Sequence, residues 1–268
     1  MCIQYTRLKQ PAPAPENAAF ALIGAVAAPC VWSLDDLRQR PQHSRRVTLL
    51  CDAEALNPRR WMTREWSGVP LAALLREAGV RAEAQSVQVA GYDGRLSALA
   101  LTDVKHALLA LAADGQPLNA EQGFPARLIL PGCSACAMPR YVQRIAVSAE
   151  GASPLAYSQP RAVITRAVRE SGFAGVRLAG LAVGGAYPLE SVAMRLDSGP
   201  PVLVPVAGGA PGLAGTWALD WPGEAVSTQQ FSVQPWPEGE SIPVANPDKS
   251  VARRWQAEIH QVKVSAAS

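Results

Sequence analysis

The sequence WSGVPLAALLREAG, residues 66–79, contains the clearest secondary-structure signal in the chain. Pro70 suits the first turn of a helix, because that position needs no backbone N–H donor. Leucines then recur at helical spacing on one face, and Gly79 is a typical residue to end the helix. The stretch therefore predicts a helix over Leu71–Ala78.

Short apolar runs surround this helix and predict a mixed α+β domain over residues 20–155. A second helix is predicted over Asp103–Ala113, because Thr102 can cap it and Gly115 can end it. The proline-rich residues 1–19 predict an extended arm ahead of the domain. The predicted strands of the domain are Arg46–Cys51, Ser86–Gly91, Arg127–Leu130 and Val142–Val147.

The sequence after Pro160 changes to short apolar segments at regular spacing, separated by turn residues and without an evident amphipathic helix. Residues 156–268 therefore predict an all-β, immunoglobulin-like sandwich. Its predicted strands are Val176–Val183, Val192–Leu196, Val202–Val206, Thr216–Trp221, Phe231–Gln234 and Ile259–Val264.

The composition excludes several classes of protein. A length of 268 residues suits two domains, and 49% hydrophobic with 18% charged residues is typical of globular proteins. A net charge of +3, without a basic stripe, argues against a nucleic-acid partner. The longest apolar run, Ala18–Trp32, contains Pro29 and is too short for a membrane span, so a buried strand is expected there.

Neither a basic leader nor a twin-arginine pair precedes this apolar run. We therefore expect a cytoplasmic protein as the chain stands, or a periplasmic one if a leader is missing. The chain has five cysteines, and this odd number argues against a framework of paired disulfides.

Two stretches carry motifs in a specific order. Residues 66–71 read WSGVPL, and residues 115–132 contain GQPL, then QGFPARL, then PG. They resemble the W-x-G-V-x-L, N-G-x-x-L, H-G-x-P-x-R and P-G motifs of the sulfite oxidase family of molybdopterin-dependent oxidoreductases. The resemblance continues through Gly184–Ala186, Trp217–Trp221 and His260–Val262, which are similar to the family's C-terminal dimerisation domain.

The resemblance implies a molybdenum-pterin cofactor and one protein ligand to the metal. In this family a cysteine thiolate binds molybdenum at the end of a buried strand, and Cys51 stands at the matching place. A soft thiolate suits a metal that is otherwise held by dithiolene sulfurs and oxygens. Without the resemblance, a lone cysteine is more often a small buried hydrophobe.

The resemblance also implies the residues that hold the pterin. Its phosphate is an anion, which the forked guanidinium of arginine recognises well. Arg127 matches the arginine of H-G-x-P-x-R, Gly123 matches the glycine of that motif, and Arg140 takes the place of a lysine that follows P-G. Asp93 matches an aspartate near the pterin, although a simple Asp-Gly turn explains this residue equally well.

Several positions depart from the family pattern. Gln122 replaces the motif histidine, and Leu111 replaces a tyrosine found in sulfite-oxidising members. The family's N-terminal arginine-asparagine-histidine segment has no counterpart. Arg59 and Arg60, in the divergent loop 52–64, are the candidates for contact with substrate, although a solvated surface loop explains these arginines equally well. Two acidic residues in the same loop make it unfavourable for a sulfite anion.

Three functions are compatible with these features. The first is an oxidoreductase that transfers an oxygen atom or two electrons to or from a small-molecule substrate. The resemblance implies a homodimer, since the C-terminal domain mediates dimer contact in the family. Electrons would leave to a separate carrier, because no C-x-x-C-H haem signature is present. The second is a non-catalytic scaffold or subunit with a degenerate cofactor site. The third is a thiol oxidoreductase that uses Cys133 and Cys136.

Overall fold

A computed structural model describes residues 18–153, 155, 157–169, 175–197, 199–222, 228–236 and 260–265. The chain divides into two compact units. The first comprises Met1–Val47 and Arg64–Ala156, and the second comprises Thr48–Thr63 and Tyr157–Ser268. Most of the predicted N-terminal arm, residues 1–17, lies outside the described residues. In the described ranges no helix is long and apolar enough to cross a membrane.

Two sheets and two helices form the framework of the first unit. One sheet has the order β2-β1-β10-β5-β6, with β1 and β10 parallel, and the other has the order β3-β4-β7-β8, with β9 also paired to β7. The elements are β1 (Ala19–Gly24), β2 (Cys30–Ser33), α1 (Leu34–Arg38), β3 (His43–Leu49), β4 (Met62–Pro70), α2 (Leu71–Ala78), β5 (Ser86–Gly91), β6 (Leu96–Ala100), β7 (Leu108–Ala113), β8 (Gln116–Pro117), β9 (Arg127–Ile129) and β10 (Val142–Ser148).

Helix α2 has the predicted bounds. Its leucines are buried, and the helix ends at Gly79, which adopts the left-handed conformation with φ of 66°. The predicted strands Ser86–Gly91 and Val142–Val147 are also confirmed, the second with one additional residue.

The helix predicted over Asp103–Ala113 is wrong. Val104–His106 forms a single 3₁₀ turn, and Leu108–Ala113 forms strand β7. β7 pairs with β4 on one side and with β8 and β9 on the other, and nearly all of its side chains are buried. A strand that is buried on both faces has an unbroken apolar sequence, which periodicity alone cannot distinguish from a buried helix.

Two carboxyl groups in the first unit accept hydrogen bonds from backbone N–H groups. The backbone N–H of Ser33 donates to Asp36 at the start of α1 and holds the pKa of this carboxyl below its usual value. The pKa of Asp114 is lowered in the same way, first by the backbone N–H of Glu65 and then by Arg64. These hydrogen bonds give both carboxylates a structural role in the first unit.

Gly68 permits the close approach of β4 to β7. A Cβ atom at this position would lie 2.0 Å from the carbonyl oxygen of Leu109 and 2.6 Å from the Cα of Ala110. We therefore expect Gly68→Ala to lower the free energy of unfolding by about 1–3 kcal/mol, the usual cost of overpacking. Urea unfolding measures this change.

Gly151→Ala is the matched control for Gly68→Ala. A Cβ atom at Gly151 would meet its nearest neighbour, Oε1 of Gln85, at an ordinary 3.4 Å. The unfolding curve of this variant should nearly overlay that of the wild type. Equal stability of both variants would show that the β4–β7 contact is not close.

The second unit contains two antiparallel sheets, with the orders β11-β12-β15 and β14-β13-β16-β17. Alternate side chains of both sheets, such as Leu178 and Phe231, share one buried apolar cluster. The strands are β11 (Arg161–Val168), β12 (Gly175–Val183), β13 (Ser191–Leu196), β14 (Val202–Pro205), β15 (Gly215–Pro222), β16 (Thr228–Trp236) and β17 (His260–Ser265).

The six predicted strands of this unit are observed with small differences at their ends. Strand β11 was missed, because its arginines at positions 161 and 166 interrupt the apolar pattern. The described part of the chain after residue 156 is therefore all-β, and it follows a mixed α+β unit.

Candidate functional site

Cys51 lies just after β3, and the strand ends earlier than predicted, at Leu49. The carbonyl of Cys51 accepts a hydrogen bond of 3.0 Å from the backbone N–H of Glu54, which starts the 3₁₀ turn Asp52–Glu54. Cys51 as a residue is partly exposed. It is therefore not enclosed in the core.

Hydrogen bonds hold both ends of the loop that carries Cys51, residues 48–63. The hydroxyls of Thr48 and Thr63 are 2.8 Å apart. The backbone N–H of Thr48 donates to the carbonyl of Gly212 at 2.9 Å, and the backbone N–H of Ala214 donates to the Thr48 hydroxyl at 2.8 Å. These bonds join the loop to the body of the second unit.

An apolar contact holds the middle of the loop. Leu50, Ala55 and Trp61 pack on Val163 of β11 and Val183 of β12. The indole N–H of Trp61 donates to the carbonyl of Ala55 at 2.7 Å, so this buried polar group is satisfied. This role of Trp61 was not predicted, since a tryptophan in a charged loop is not by itself a signal of a packing contact.

The acidic residues of the loop are both paired with arginines. Oδ1 of Asp52 lies 3.7 Å from Nη2 of Arg161, and Oε2 of Glu54 lies 3.1 Å from Nε of Arg60. The expectation that loop acids make this region unfavourable for an anion is therefore weakened, because each negative charge has a positive neighbour. Of the two predicted substrate arginines, Arg60 forms this pair, and Arg59 is exposed.

Arg127 lies in the first unit at the start of β9. Gly68, Ala110 and Arg127 form one row across β4, β7 and β9. The guanidinium carbon of Arg127 lies over the ring of Trp66, 5.5 Å from its centre. Arg127 is only 8% exposed, so its charge is held in a largely water-free place.

The loop before β9 brings three of the predicted cofactor residues together. Nη1 of Arg127 donates to the carbonyl of Gln122 at 3.3 Å, and Nη1 of Arg140 donates to the carbonyl of Glu121 at 3.1 Å. Gly123 packs on Arg140, where an added Cβ atom would lie 2.8 Å from that of Arg140. Gly123, Arg127 and Arg140 therefore lie together in this corner of the first unit.

Asn119 shapes the same loop and was not predicted. Its side-chain carbonyl accepts from the backbone N–H of Gln122 at 2.9 Å, while Oε1 of Gln122 accepts from the backbone N–H of Asn119 at 3.0 Å. Gln122, which replaces the motif histidine, thus has a structural partner. An Asn and a Gln three residues apart are common, so this spacing is not a specific signal for the pair.

Asp93 is held within its own turn. Its Oδ1 accepts from the backbone N–H of Arg95 at 3.1 Å, and its Oδ2 lies 3.4 Å from Nε of Arg95. Gly91 lies between Asp93 and Arg140. A Cβ atom added at Gly91 would lie 2.8 Å from Oδ1 of Asp93 and 2.2 Å from the carbonyl oxygen of Arg140. Asp93 therefore borders the corner that contains Arg140, and local turn contacts account for its hydrogen bonds.

Several buried polar atoms of the first unit have no hydrogen-bond partner among the described residues. They include the indole N–H of Trp66 and the hydroxyl of Ser134. Trp66 is fully buried and Ser134 is 5% exposed. Such groups are costly unless a ligand or water completes them.

The remaining cysteine motif lies next to Ser134. Cys133 is buried, and Cys136 is partly exposed within the 3₁₀ turn Ala135–Ala137; both are thiols. The described residues contain no group of three or more His, Cys, Asp or Glu side chains that could hold a metal ion.

Most of the first unit and the Cys51 loop lie in a region that matches a known family. Residues 8–154 match the oxidoreductase molybdopterin binding domain family, and this match covers more than half of the chain. The chain belongs to this family. As a member, it has Gly123, Arg127 and Arg140 inside the matched region, together with Cys51.

The curated relatives of this family member have low sequence identity to it. Mitochondrial sulfite oxidase of Rattus norvegicus is 28% identical over 177 residues, which are 55% of this chain and 32% of that protein. The uncharacterized oxidoreductase YuiH of Bacillus subtilis is 30% identical over 112 residues, 40% of this chain and 54% of its own. The chain thus spans about a third to a half of the length of these relatives.

A solved structure shows the same fold. The sulfane dehydrogenase SoxCD from Paracoccus pantotrophus matches 93% of this chain and 72% of its own, with a TM-score of 0.74 and 22% sequence identity. The molybdopterin-binding region and the all-β region that follows it therefore form a fold already known in another protein.

Proposed function

We propose that this chain is a molybdopterin-dependent oxidoreductase that transfers an oxygen atom or two electrons to or from a small molecule, with the thiolate of Cys51 as ligand to the metal. The observation that carries the proposal is the thiol of the partly exposed Cys51 on a loop that is held at both ends by hydrogen bonds, in a chain of this family. A fixed loop holds a ligand in one geometry, as a metal centre requires.

The residues present fit such a cofactor. A lone thiolate suits a metal that brings its other ligands with it, and the described residues offer no cluster that would hold a bare ion. The buried N–H of Trp66 and the hydroxyl of Ser134 are polar groups that a bound polar molecule would satisfy. When bound, the cofactor supplies the metal that exchanges oxygen or electrons with the substrate.

The chain's own residues have distinct roles in this proposal. Arg127 and Arg140 bind the anionic pterin through their guanidinium groups, and Gly123 keeps their loop close to Arg140. Asp93 is the weakest member of the set, because Arg95 already engages its carboxylate. Arg59 and Arg60 are the candidates to orient the substrate.

The substrate proposed is a small molecule other than sulfite. Sulfite-oxidising members of the sulfite oxidase family have a tyrosine where this chain has Leu111. The leucine is buried, and its side chain cannot transfer a proton. Both loop acids are paired with arginines, so their charges do not repel other anionic substrates.

The second unit is proposed to be an immunoglobulin-like sandwich that forms a homodimer, since two antiparallel sheets share one core. A separate electron carrier completes the proposed reaction cycle. A non-catalytic scaffold is the alternative, and it is favoured by Leu111 and by Gln122 in place of the motif histidine.

Metal and pterin analysis separates these two functions. The full chain, purified from a host that makes the pterin, should contain molybdenum and pterin in equal amounts. It should also reduce S-oxides, N-oxides or nitrate with a reduced viologen dye. The same chain from a pterin-deficient host is the control. Protein that lacks molybdenum from both hosts would establish the scaffold.

A further inference from the structure

Strand β11 has two differently covered faces. Ala162 and Ile164 point into the core between the two sheets, whereas Val163 packs against Leu50 and Trp61 of the Cys51 loop. Because side chains alternate along a strand, Arg161 points to the same side as Val163. Arg161 therefore lies at the edge of the apolar contact that holds the loop.

Arg161 is a buried cation that reaches the residue next to Cys51. The residue is 4% exposed, and its Nη2 lies 3.7 Å from Oδ1 of Asp52. That carboxylate oxygen is itself buried, although the side chain of Asp52 as a whole is 34% exposed. The pair is thus largely shielded from water, so its charges are weakly screened.

The other ion pair of the loop provides a contrast. Glu54 and Arg60 approach more closely, at 3.1 Å, yet their side chains are 47% and 61% exposed. An exposed pair contributes little to holding a loop. Removing one partner of a buried pair leaves an uncompensated charge, which is strongly unfavourable. The Asp52–Arg161 pair is therefore the stronger electrostatic restraint.

We infer that Arg161 is a positioning residue, which holds Asp52 and thereby fixes the backbone at the adjacent Cys51. Its importance for catalysis rests on the proposed function, in which the Cys51 thiolate is the metal ligand. The restraint itself is a property of the metal-free chain. Two contacts then restrain the chain next to the thiol: the apolar packing of Leu50 and Trp61 on Val163, and the Asp52–Arg161 pair.

Thiol labelling of the metal-free full chain tests this inference. Iodoacetamide alkylation of Cys51 is followed by peptide mass spectrometry, with Cys30 in the first unit as reference. Buried Cys133 reports opening of the first unit, and the thermal unfolding curve of each variant reports opening of the second. The variants are Arg161→Gln, Arg161→Lys, Asp52→Asn and the double variant Asp52→Asn/Arg161→Gln. Glu54→Gln, which breaks the exposed pair of the same loop, is the matched control.

Arg161→Gln should raise the alkylation rate of Cys51 relative to Cys30 by about tenfold, because the loss of a buried pair favours opening of the loop. Arg161→Lys should restore part of the protection, and the double variant should be closer to the wild type than Arg161→Gln. Glu54→Gln should change the ratio by less than about twofold.

The inference is overturned if Arg161→Gln leaves the Cys51 ratio unchanged while Cys133 stays protected, or if Glu54→Gln has an equal effect. If Arg161→Gln exposes Cys133, Asp52→Asn decides, and unchanged Cys51 labelling in that variant overturns the inference. If wild-type protein from a host that makes the pterin contains no molybdenum, the proposed function is wrong. The labelling experiment still tests the restraint, because it uses the metal-free chain.

Discussion

Cys51→Ser should abolish turnover of the loaded protein while leaving its fold and its pterin in place. The substitution keeps the size of the side chain but replaces a soft thiolate by a hydroxyl that stays protonated at neutral pH. Even outer-shell changes at metal sites commonly cost roughly 10–100-fold, so loss of the ligand itself should exceed about 100-fold. Dye-linked assays and pterin fluorescence measure the two quantities.

The fold should survive this change because other residues hold the loop. Cys51 is partly exposed, whereas the neighbouring Leu50 makes the buried contact. Cys30→Ser is the control: Cys30 is also partly exposed, and its thiol donates only to the local carbonyl of Ala28 at 3.1 Å. Turnover of Cys51→Ser at the wild-type rate, or an equal loss in both variants, would contradict the assignment.

Arg127→Met should lower the pterin and molybdenum content together. The methionine keeps an apolar chain against Trp66 but removes the guanidinium fork that lies 5.5 Å from the ring centre. A hydrogen bond to a charged group is worth roughly 1.5–3 kcal/mol, which corresponds to about 10- to 100-fold in affinity. Arg127→Lys keeps the charge without the fork and should retain an intermediate content.

Arg144→Met is the control for this loss. Arg144 lies in β10 and is exposed, so the variant changes net charge equally without touching the buried corner around Arg127. It should keep its pterin. Arg127→Met that folds and retains full pterin content would contradict the role of Arg127, and so would an equal loss in Arg144→Met.

Local signals in the sequence predicted the elements that depend on local chemistry. Helix α2 had a proline at its start, leucines on one face and a glycine at its end, and its bounds were predicted correctly. Strand β7 had only an unbroken run of leucine and alanine, so its identity depended on pairing with β4 and β9, which the sequence does not reveal. The false helix over Asp103–Ala113 resulted from this missing information.

At the candidate site, too, motif residues could be predicted and long-range contacts could not. Gly123, Arg127 and Arg140 were predicted because they stand at motif positions of the family. The contacts that hold Cys51 could not be predicted, because Asp52 and Trp61 meet Arg161 and Val163 across a long stretch of chain. In the sequence Arg161 interrupts an apolar pattern, and its burial and its contact with Asp52 depend on the fold.

X-ray absorption at the molybdenum edge tests the central assignment most directly. Loaded wild-type protein should show one more sulfur neighbour around the metal than loaded Cys51→Ser, with the pterin sulfurs common to both. Spectra with the same sulfur coordination in the two proteins would show that Cys51 does not bind the metal.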